Sequence, residues 1–364
     1  MRSKHSFYVG TFGLMVLLGC CFSVIALSNY QPKENPDILR GKAALDVEEY
    51  YNENFIAKDI GTNLWALINY LAFNEGRKGV VIGESGWLFT QEEFKQEKHS
   101  EKTLEENFEK ISQVQSFLKK QNIELMVALI PAKASIYKEH IGDHQRADIQ
   151  ETLYSNSLEF FRQRNIAAPE FKDTFLQQKQ NAEIFLRSDT HWTVTGADIA
   201  AAILAKNIEE TKLLSNLHSK TFSVVKGQTL PYKGDLLNFV PLGPFFRWFS
   251  VAEDQLTEIN TELSDSSQDK SSADLFSDNT TELVLVGTSY SANTKWNFAG
   301  SIKQHLGEDL LNVAQEGKGP FLPMAEYLNS EAFKASPPRL VLWEIPERFL
   351  PVSYDHKLLN SILQ

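Results

Sequence analysis

The chain is predicted to be an α/β protein built on a parallel sheet flanked by helices, and two observations carry that prediction. Helix-like patterns alternate with short, mostly apolar runs at residues 123–130, 283–286, 310–314 and 340–345, of which 283–286 is unbroken. Strands that are apolar on both faces suit a sheet covered by helices on both sides. The run at 283–286 also stops at Gly287, Thr288 and Ser289, and the polar residues 291–294 then read as the start of a helix, with Ser291 at its N-cap. A hydroxyl placed there stands at the C-terminal edge of a sheet beside helix N–H groups, where α/β acyl-transfer and hydrolytic enzymes hold a nucleophile. The alternative is a buried strand followed by an ordinary serine cap.

Taken in order, the chain opens with Arg2, Lys4 and His5 ahead of an apolar run over residues 7–27. That is close to the ~20 residues needed to cross a bilayer, so residues 1–28 read as a signal anchor. Cleavage near Ala26 or Ser28, or lipidation at Cys20, are the rivals. Residues 29–46, with Pro32 and Pro36, read as a stem before a domain over 47–364. Helical spacing follows from Val47 to Phe73 with a break expected near Asp59 to Thr62. Residues 80–82 and 87–89 flank Gly83 and Gly86 as a hairpin or a strand and turn. Thr103 and Glu106 read as a capping box for a helix ending near Lys120, and the strand at 123–130 is stopped by Pro131. Helices are expected at 149–161 and, with Thr195 as N-cap, up to Ile208.

Residues 230–250 carry Tyr232, Phe239, Phe245, Phe246, Trp248 and Phe249 among prolines and glycines, an irregular aromatic stretch that covers a core or stacks on sugar rings. Residues 258–281 read as a polar, acidic surface insert. Helical spacing returns around 321–328.

Composition narrows the function. The 364 residues allow one elaborated α/β unit or two domains. A net charge of −11 argues against a nucleic-acid partner and leaves only local basic patches for gripping a polyanion. Both cysteines, Cys20 and Cys21, lie in the N-terminal apolar run, so the rest of the chain has no thiol nucleophile and no cysteine-based metal site. His140 and His144 have metal-pair spacing, but Gly142 weakens the helix they would need. There is no glycine-rich phosphate loop. No cofactor and no metal are implied.

A second stretch complements the serine. Asp189 and His191 lie in Ser188-Asp-Thr-His-Trp-Thr193, after a short apolar run and before an alanine-rich segment. In extended chain, residues i and i+2 face the same way, so a carboxylate and an imidazole can project together as an oriented general base. A surface histidine or a metal pair is the plain alternative.

Together Asp189-Thr-His-Trp-Thr193 and Gly287-Thr-Ser-Tyr-Ser291 resemble motifs of the alginate O-acetyltransferase family of AlgJ and AlgX, SGNH-hydrolase-like proteins of the bacterial periplasm. Gly83-Glu-Ser-Gly-Trp-Leu-Phe89, Pro131-Ala-Lys-Ala-Ser-Ile-Tyr137, Gly234-Asp-Leu236 and Trp343-Glu-Ile-Pro-Glu-Arg348 extend the resemblance over roughly residues 50 to 350. It implies a flavodoxin-like parallel sheet with circularly permuted motif order. It also implies Ser289 as nucleophile, His191 as base and Asp189 as orienting carboxylate. Oxyanion or substrate roles fall to Gly317, Gly319, Arg348, Trp192, Tyr290, Lys133 and Trp248. The strand ending at Trp343 lacks the asparagine that usually donates to the oxyanion. The chain ends soon after Arg348, with no room for a C-terminal carbohydrate-binding module, so the AlgJ branch fits better than AlgX.

The expected function is periplasmic O-acetyl transfer to hydroxyls of an alginate-like exopolysaccharide. A membrane-bound acyltransferase partner would supply the acetyl group, alongside other exopolysaccharide secretion proteins. A carbohydrate acetylesterase of the same type and a non-catalytic polysaccharide-binding assembly protein are the alternatives.

Overall fold

The computed structural model describes residues 2–32, 38, 40–214, 217–245, 248, 253–264 and 282–363. Phe246, Phe249, residues 265–281 and the stem residues 33–37 and 39 fall outside this set. The chain divides into two units, one of residues 1–77 with 240–250, the other of residues 78–239 with 251–364. The helices expected to open the catalytic domain therefore group with the N-terminal segment.

The first unit contains α1 (Arg2–Leu27), α2 (Lys42–Asn54) and α3 (Ile56–Ile68), and a π-turn over Asn69–Phe73 prolongs α3. Within α1, Tyr8–Leu27 is long and apolar enough to cross a membrane. Two expectations are corrected here. Helix α2 begins inside the predicted stem, just after Gly41 at φ 73°. The break lies at Phe55 (φ −81°, ψ 93°) rather than near 59–62, because Phe55 leaves the helix to stack on Tyr51 at 4.9 Å. Gly61 is carried inside α3 at the modest cost, ~1 kcal/mol, of a helical glycine.

The second unit opens with the expected hairpin, β1 (Val80–Ile82) and β2 (Leu88–Thr90), paired antiparallel. Then come α4 (Ser100–Lys120), β3 (Glu124–Ile130), α5 (Lys133–Ile136), α6 (Asp148–Gln163), α7 (Lys172–Gln178) and α8 (Val194–Thr211). Helix α4 starts before the predicted capping box, since the chain turns at His99 (φ 68°) and Ser100 Oγ donates to the Glu97 carbonyl at 2.7 Å. Helix α8 is capped by Thr193, whose hydroxyl accepts from Gly196 N at 3.0 Å, not by Thr195, and it continues to Thr211.

Strands β4 (Phe222–Tyr232) and β5 (Asp254–Leu263) form an antiparallel ribbon. Residues 258–263 of the expected insert are therefore strand. Polar cross-strand pairs such as Thr229 with Thr257, 2.8 Å between hydroxyls, hold a ribbon that apolar patterning does not reveal.

The rest of the chain forms β6 (Leu283–Val286), α9 (Ser289–Ala292), α10 (Phe298–Leu306), β7 (Leu311–Asn312), α11 (Phe321–Asn329), α12 (Glu331–Ala335), β8 (Leu340–Pro346) and α13 (Lys357–Ile362). The main sheet is parallel throughout, in the order β3-β8-β6-β7. Alternate residues of its strands feed two cores. Met126, Ala128, Leu283, Leu285 and Leu342 pack with α7, α8 and α10. Leu125, Val127, Val284, Val286, Trp343 and Ile345 pack with α4, α6 and α11. Burial on both faces explains why these strands are predominantly apolar in the sequence. The C-terminal ends of β3, β6 and β8 lead directly to Lys133, Ser289 and Arg348, the edge where open α/β sheets bind ligands.

Candidate active site

The serine turn is made by regular structure. Strand β6 ends at Val286, and Thr288 caps α9, its hydroxyl accepting from Tyr290 N at 3.4 Å. The helix therefore begins at Ser289, not after Ser291. Its first backbone N–H groups have no helical partner, so the Ser289 N–H stays outside the helical ladder. Ser291 is buried, and its hydroxyl donates to Glu344 at 3.0 Å. Glu344, at the heart of β8, also accepts from Thr288 N at 2.7 Å and Thr288 Oγ1 at 3.0 Å. A Cβ on Gly287 would meet Glu344 Oε2 at 2.5 Å, so only glycine lets this carboxylate reach the turn. Burial raises the Glu344 carboxyl to about 7, against the opposing hydrogen bonds from Thr288 and Ser291.

His191 faces this turn. Its Nε2 lies 2.7 Å from Ser289 Oγ, and its Nδ1 lies 2.6 Å from Asp189 Oδ1. The ring stacks on the buried Trp296, with centroids 5.1 Å apart, and tilts against Tyr290 at 4.7 Å. The Asp189 carboxylate accepts further from His191 N, from Tyr232 Oη and from Asp235 N, each at 2.9 Å. Burial acts to raise its pKa, but the hydrogen bonds and positive charge of His191, with those backbone donors, outweigh burial and hold it well below the usual carboxylate range. The carboxylate thus stays ionised and fixes which imidazole nitrogen faces the serine.

Residues 187–191 are not the strand end the sequence suggested. They form a loop, flanked by an isolated bridge between Phe185 and Trp192 and joined to β2 by a backbone hydrogen bond from Leu88 N to the Arg187 carbonyl at 2.9 Å. Buried polar groups hold it instead. Lys133 Nζ donates to the carbonyls of Leu88 (2.6 Å), Arg187 (2.9 Å) and Asp189 (3.0 Å). Burial lowers the Lys133 ammonium to about 8, while the charges of Glu93, Asp254, Asp189 and Asp235 work to raise it. Asp254 accepts from Arg187 N and Ser188 N, both at 2.8 Å, and from the Ser188 hydroxyl at 2.5 Å. Asp235 accepts from Thr190 N at 2.8 Å and Thr190 Oγ1 at 2.6 Å. Gly234 allows that approach, since a Cβ there would lie 2.1 Å from the Ser188 carbonyl oxygen. Asp189, His191 and Asp235 bring metal-ligand atoms within 4.8 Å of one another, but these are the atoms engaged in the hydrogen bonds just described.

Ser289 and His191 open onto a cavity of about 810 Å³ whose lining includes Lys78, Lys95, Lys98, Phe239 and Arg348. Arg348 donates from Nη1 to Tyr290 Oη at 2.8 Å and from Nε to Glu92 at 3.2 Å. Tyr290 Oη donates in turn to the Thr190 carbonyl at 2.5 Å, which links the two halves of the site. The other sequence candidates fall elsewhere. Trp192 is wholly buried against Tyr290 and Phe298, a core position with no face for substrate. Gly317 is exposed, Gly319 packs on Tyr354, and neither lines the cavity. Trp248 belongs to the first unit, where it is 74% exposed. Sequence reading gave no role to Glu344, Asp254 or Trp296. Glu344 had a signal, a carboxylate inside an otherwise apolar strand, whereas Asp254 sits in polar sequence with none.

A parallel α/β sheet carrying a serine at the strand-to-helix turn, bonded to an imidazole that is bonded to a buried carboxylate, has the arrangement of a serine acyl-transfer or hydrolytic enzyme. Residues 80–347 match the family described as SGNH hydrolase-like domain, acetyltransferase AlgX, and the chain belongs to that family. It is 42% identical to the probable alginate O-acetylase AlgJ of Azotobacter vinelandii over 97% of this chain and 91% of that protein. It is also 42% identical to the probable alginate O-acetylase AlgJ of Pseudomonas aeruginosa, over 96% and 90%. The O-acetyltransferase domain of Pseudomonas putida AlgJ superposes with a TM-score of 0.70 at 38% identity, covering 78% of this chain and all of that one.

Proposed function

We propose that this chain is an alginate O-acetyltransferase, held by α1 at the periplasmic face of the inner membrane, that works through an acetyl-Ser289 intermediate. The observation that carries the reading is the continuous hydrogen-bonded path Ser289–His191–Asp189 at the mouth of the cavity. The alginate substrate comes from the names of the AlgJ relatives, which match along nearly the whole chain.

In the first half-reaction Ser289 Oγ attacks the acetyl carbonyl carbon of the donor as His191 Nε2 takes its proton. The tetrahedral intermediate collapses, the bond to the donor's leaving oxygen or sulfur breaks, and His191 returns the proton to that leaving group. In the second, His191 Nε2 takes the proton of a sugar hydroxyl, whose oxygen attacks the acetyl-serine. Ser289 leaves and regains the proton from His191. Asp189 keeps the imidazolium oriented throughout. The Ser289 N–H at the start of α9 donates to the oxyanion, and the Arg348 guanidinium, fixed by Tyr290 and Glu92, supplies positive charge at the cavity wall. The acetyl group arrives from a membrane-bound acyltransferase, and the chain works beside other proteins of alginate biosynthesis and secretion.

The test is to incubate the purified chain with an activated acetyl ester, with and without uronate oligosaccharides. Transfer leaves acetate on the sugar, and a serine-directed phosphonate leaves its adduct on Ser289. Release of acetate from acetylated polymer, with no acetylated oligosaccharide formed under any acceptor, replaces this reading with an acetylesterase. An adduct on Ser291 with Ser289 untouched overturns the nucleophile.

A further inference from the structure

Helix α3 leaves most of its large apolar residues open to solvent. Ile56, Ile60, Leu64 and Ile68 recur every four residues along one side of it, and Leu71 continues that side into the π-turn. All five are exposed, from 41% at Ile68 to 56% at Leu71, and Trp65 beside them is 63% exposed. Leu67 is the single buried residue of the helix. Of the polar residues, Lys58, Asp59 and Thr62 are exposed as well. Asn63 and Asn69 are half-buried, and Asn63 sits so close to Gly243 of the same unit that a Cβ there would lie 2.3 Å from its amide nitrogen. Thr62 and Asn69 share a small cavity with Val240 and Pro241. A stripe of large apolar residues left open in this way marks a surface suited to a non-aqueous neighbour.

The same unit shows where that neighbour lies. Ser23 Oγ and Tyr51 Oη are 2.8 Å apart, which joins α2 to α1. Ser23 falls within the apolar stretch Tyr8–Leu27, about 6 Å before its end at 1.5 Å of rise per residue. Tyr30, just past that end, donates to Asp46 at 2.8 Å and packs edge-on against Tyr50 at 5.2 Å. Helix α2, and α3 directly after it, are thus tied to α1 at the level where it leaves the bilayer, in a cluster of tyrosines of the kind that marks a membrane boundary.

We propose that α3 and its π-turn lie in the outer interface of the bilayer that α1 crosses, with Ile56, Ile60, Leu64, Ile68 and Leu71 in the acyl-chain boundary and Trp65 at the headgroup level. The inference rests on the reading of α1 as an uncleaved anchor. It gives the chain a second, in-plane attachment, and two attachments fix the first unit against the membrane more firmly than a single helix on a tether.

The experiment uses the full chain in nanodiscs of phosphatidylethanolamine and phosphatidylglycerol, with Cys20→Ser and Cys21→Ser as background. Nitroxide labels are attached singly at Ile60→Cys, Leu64→Cys, Ile68→Cys, Asp59→Cys and Val16→Cys. Collision with dissolved oxygen, relative to collision with a water-soluble nickel chelate, should be about tenfold higher at positions 60, 64 and 68 than at 59, and highest at 16. Nickel access at 60, 64 and 68 with Val16 in lipid overturns the interfacial helix and leaves the anchor standing. Shielding of the three positions from both reagents overturns it in favour of a protein partner or a second copy. Nickel access at Val16 overturns the anchor and the proposal together.

Discussion

The serine turn and the Asp189–His191 loop supply two halves of one hydrogen-bonded path, and they are held in different ways. The serine turn rides on regular structure: β6 ends, α9 begins, and a single buried carboxylate, Glu344 from the neighbouring strand, ties the junction. The loop has almost no ladder of its own. It is pinned by Lys133 after β3, Asp235 after β4 and Asp254 at the start of β5, each buried or half-buried and each bonded mainly to backbone. A strand end places a nucleophile through hydrogen bonds every residue makes, so few side chains are needed. A loop placing a base must satisfy its backbone with specific polar groups, so its integrity depends on residues far away in sequence.

The largest expected effect lies on the path itself. Ser289→Ala should lower turnover of an acetyl ester by on the order of 10⁴-fold or more, and His191→Ala combined with Ser289→Ala should lose little beyond either change alone. Losses that multiply would separate the two halves and break the comparison at its root. Steady-state rates on the two single variants and the double variant decide it.

Next come the pins of the loop. Asp254→Ala leaves the amides of Arg187 and Ser188 without their acceptor in a buried site. We expect a loss of about 2–3 kcal/mol in urea unfolding and a drop in turnover on the order of 10²-fold, because the base moves relative to the serine. Unchanged activity would show that the loop is held by the remaining groups.

Glu344 is tested by pH. Its folded-state pKa, about 7, lies above the ordinary value of 4.5, so the folded chain holds a proton that the unfolded chain releases between those values. Stability from this group is therefore full below pH 4.5 and falls as pH rises through 7. Relative to wild type, Glu344→Gln should gain about 3 kcal/mol between pH 4.5 and 8, measured by unfolding at each pH. A constant difference across that window would place the carboxylate in a better-solvated site.

The smallest effect is at Ser291. Ser291→Ala removes one hydrogen bond to Glu344 and should cost about 1 kcal/mol in stability with turnover nearly unchanged. A loss comparable to that of Ser289→Ala would mean that the turn depends on more than Glu344 and the helix cap.

The sequence by itself determined the sheet and offered the groups that meet as candidates, their pairing being implied by the family resemblance. The runs at 123–130, 283–286 and 340–345 are strands buried on both faces, which demands mostly apolar residues, and that demand is visible in one dimension. The serine turn and the Asp-x-His spacing were legible for the same reason, since each is a local pattern. Tertiary structure alone decided how the base is held. Tyr232, Asp235 and Asp254 reach residues 187–190 across gaps of more than forty positions, and a polar residue in a polar stretch carries no mark of its distant partner. The ribbon of β4 and β5 was hidden likewise, because its pairing runs through backbone and hydroxyls rather than an apolar face. Helix α3 shows the limit from the other side. Its apolar spacing was plain in the sequence, but only the fold shows that this face stands open. Periodicity records which residues share a face, and packing decides which way that face looks.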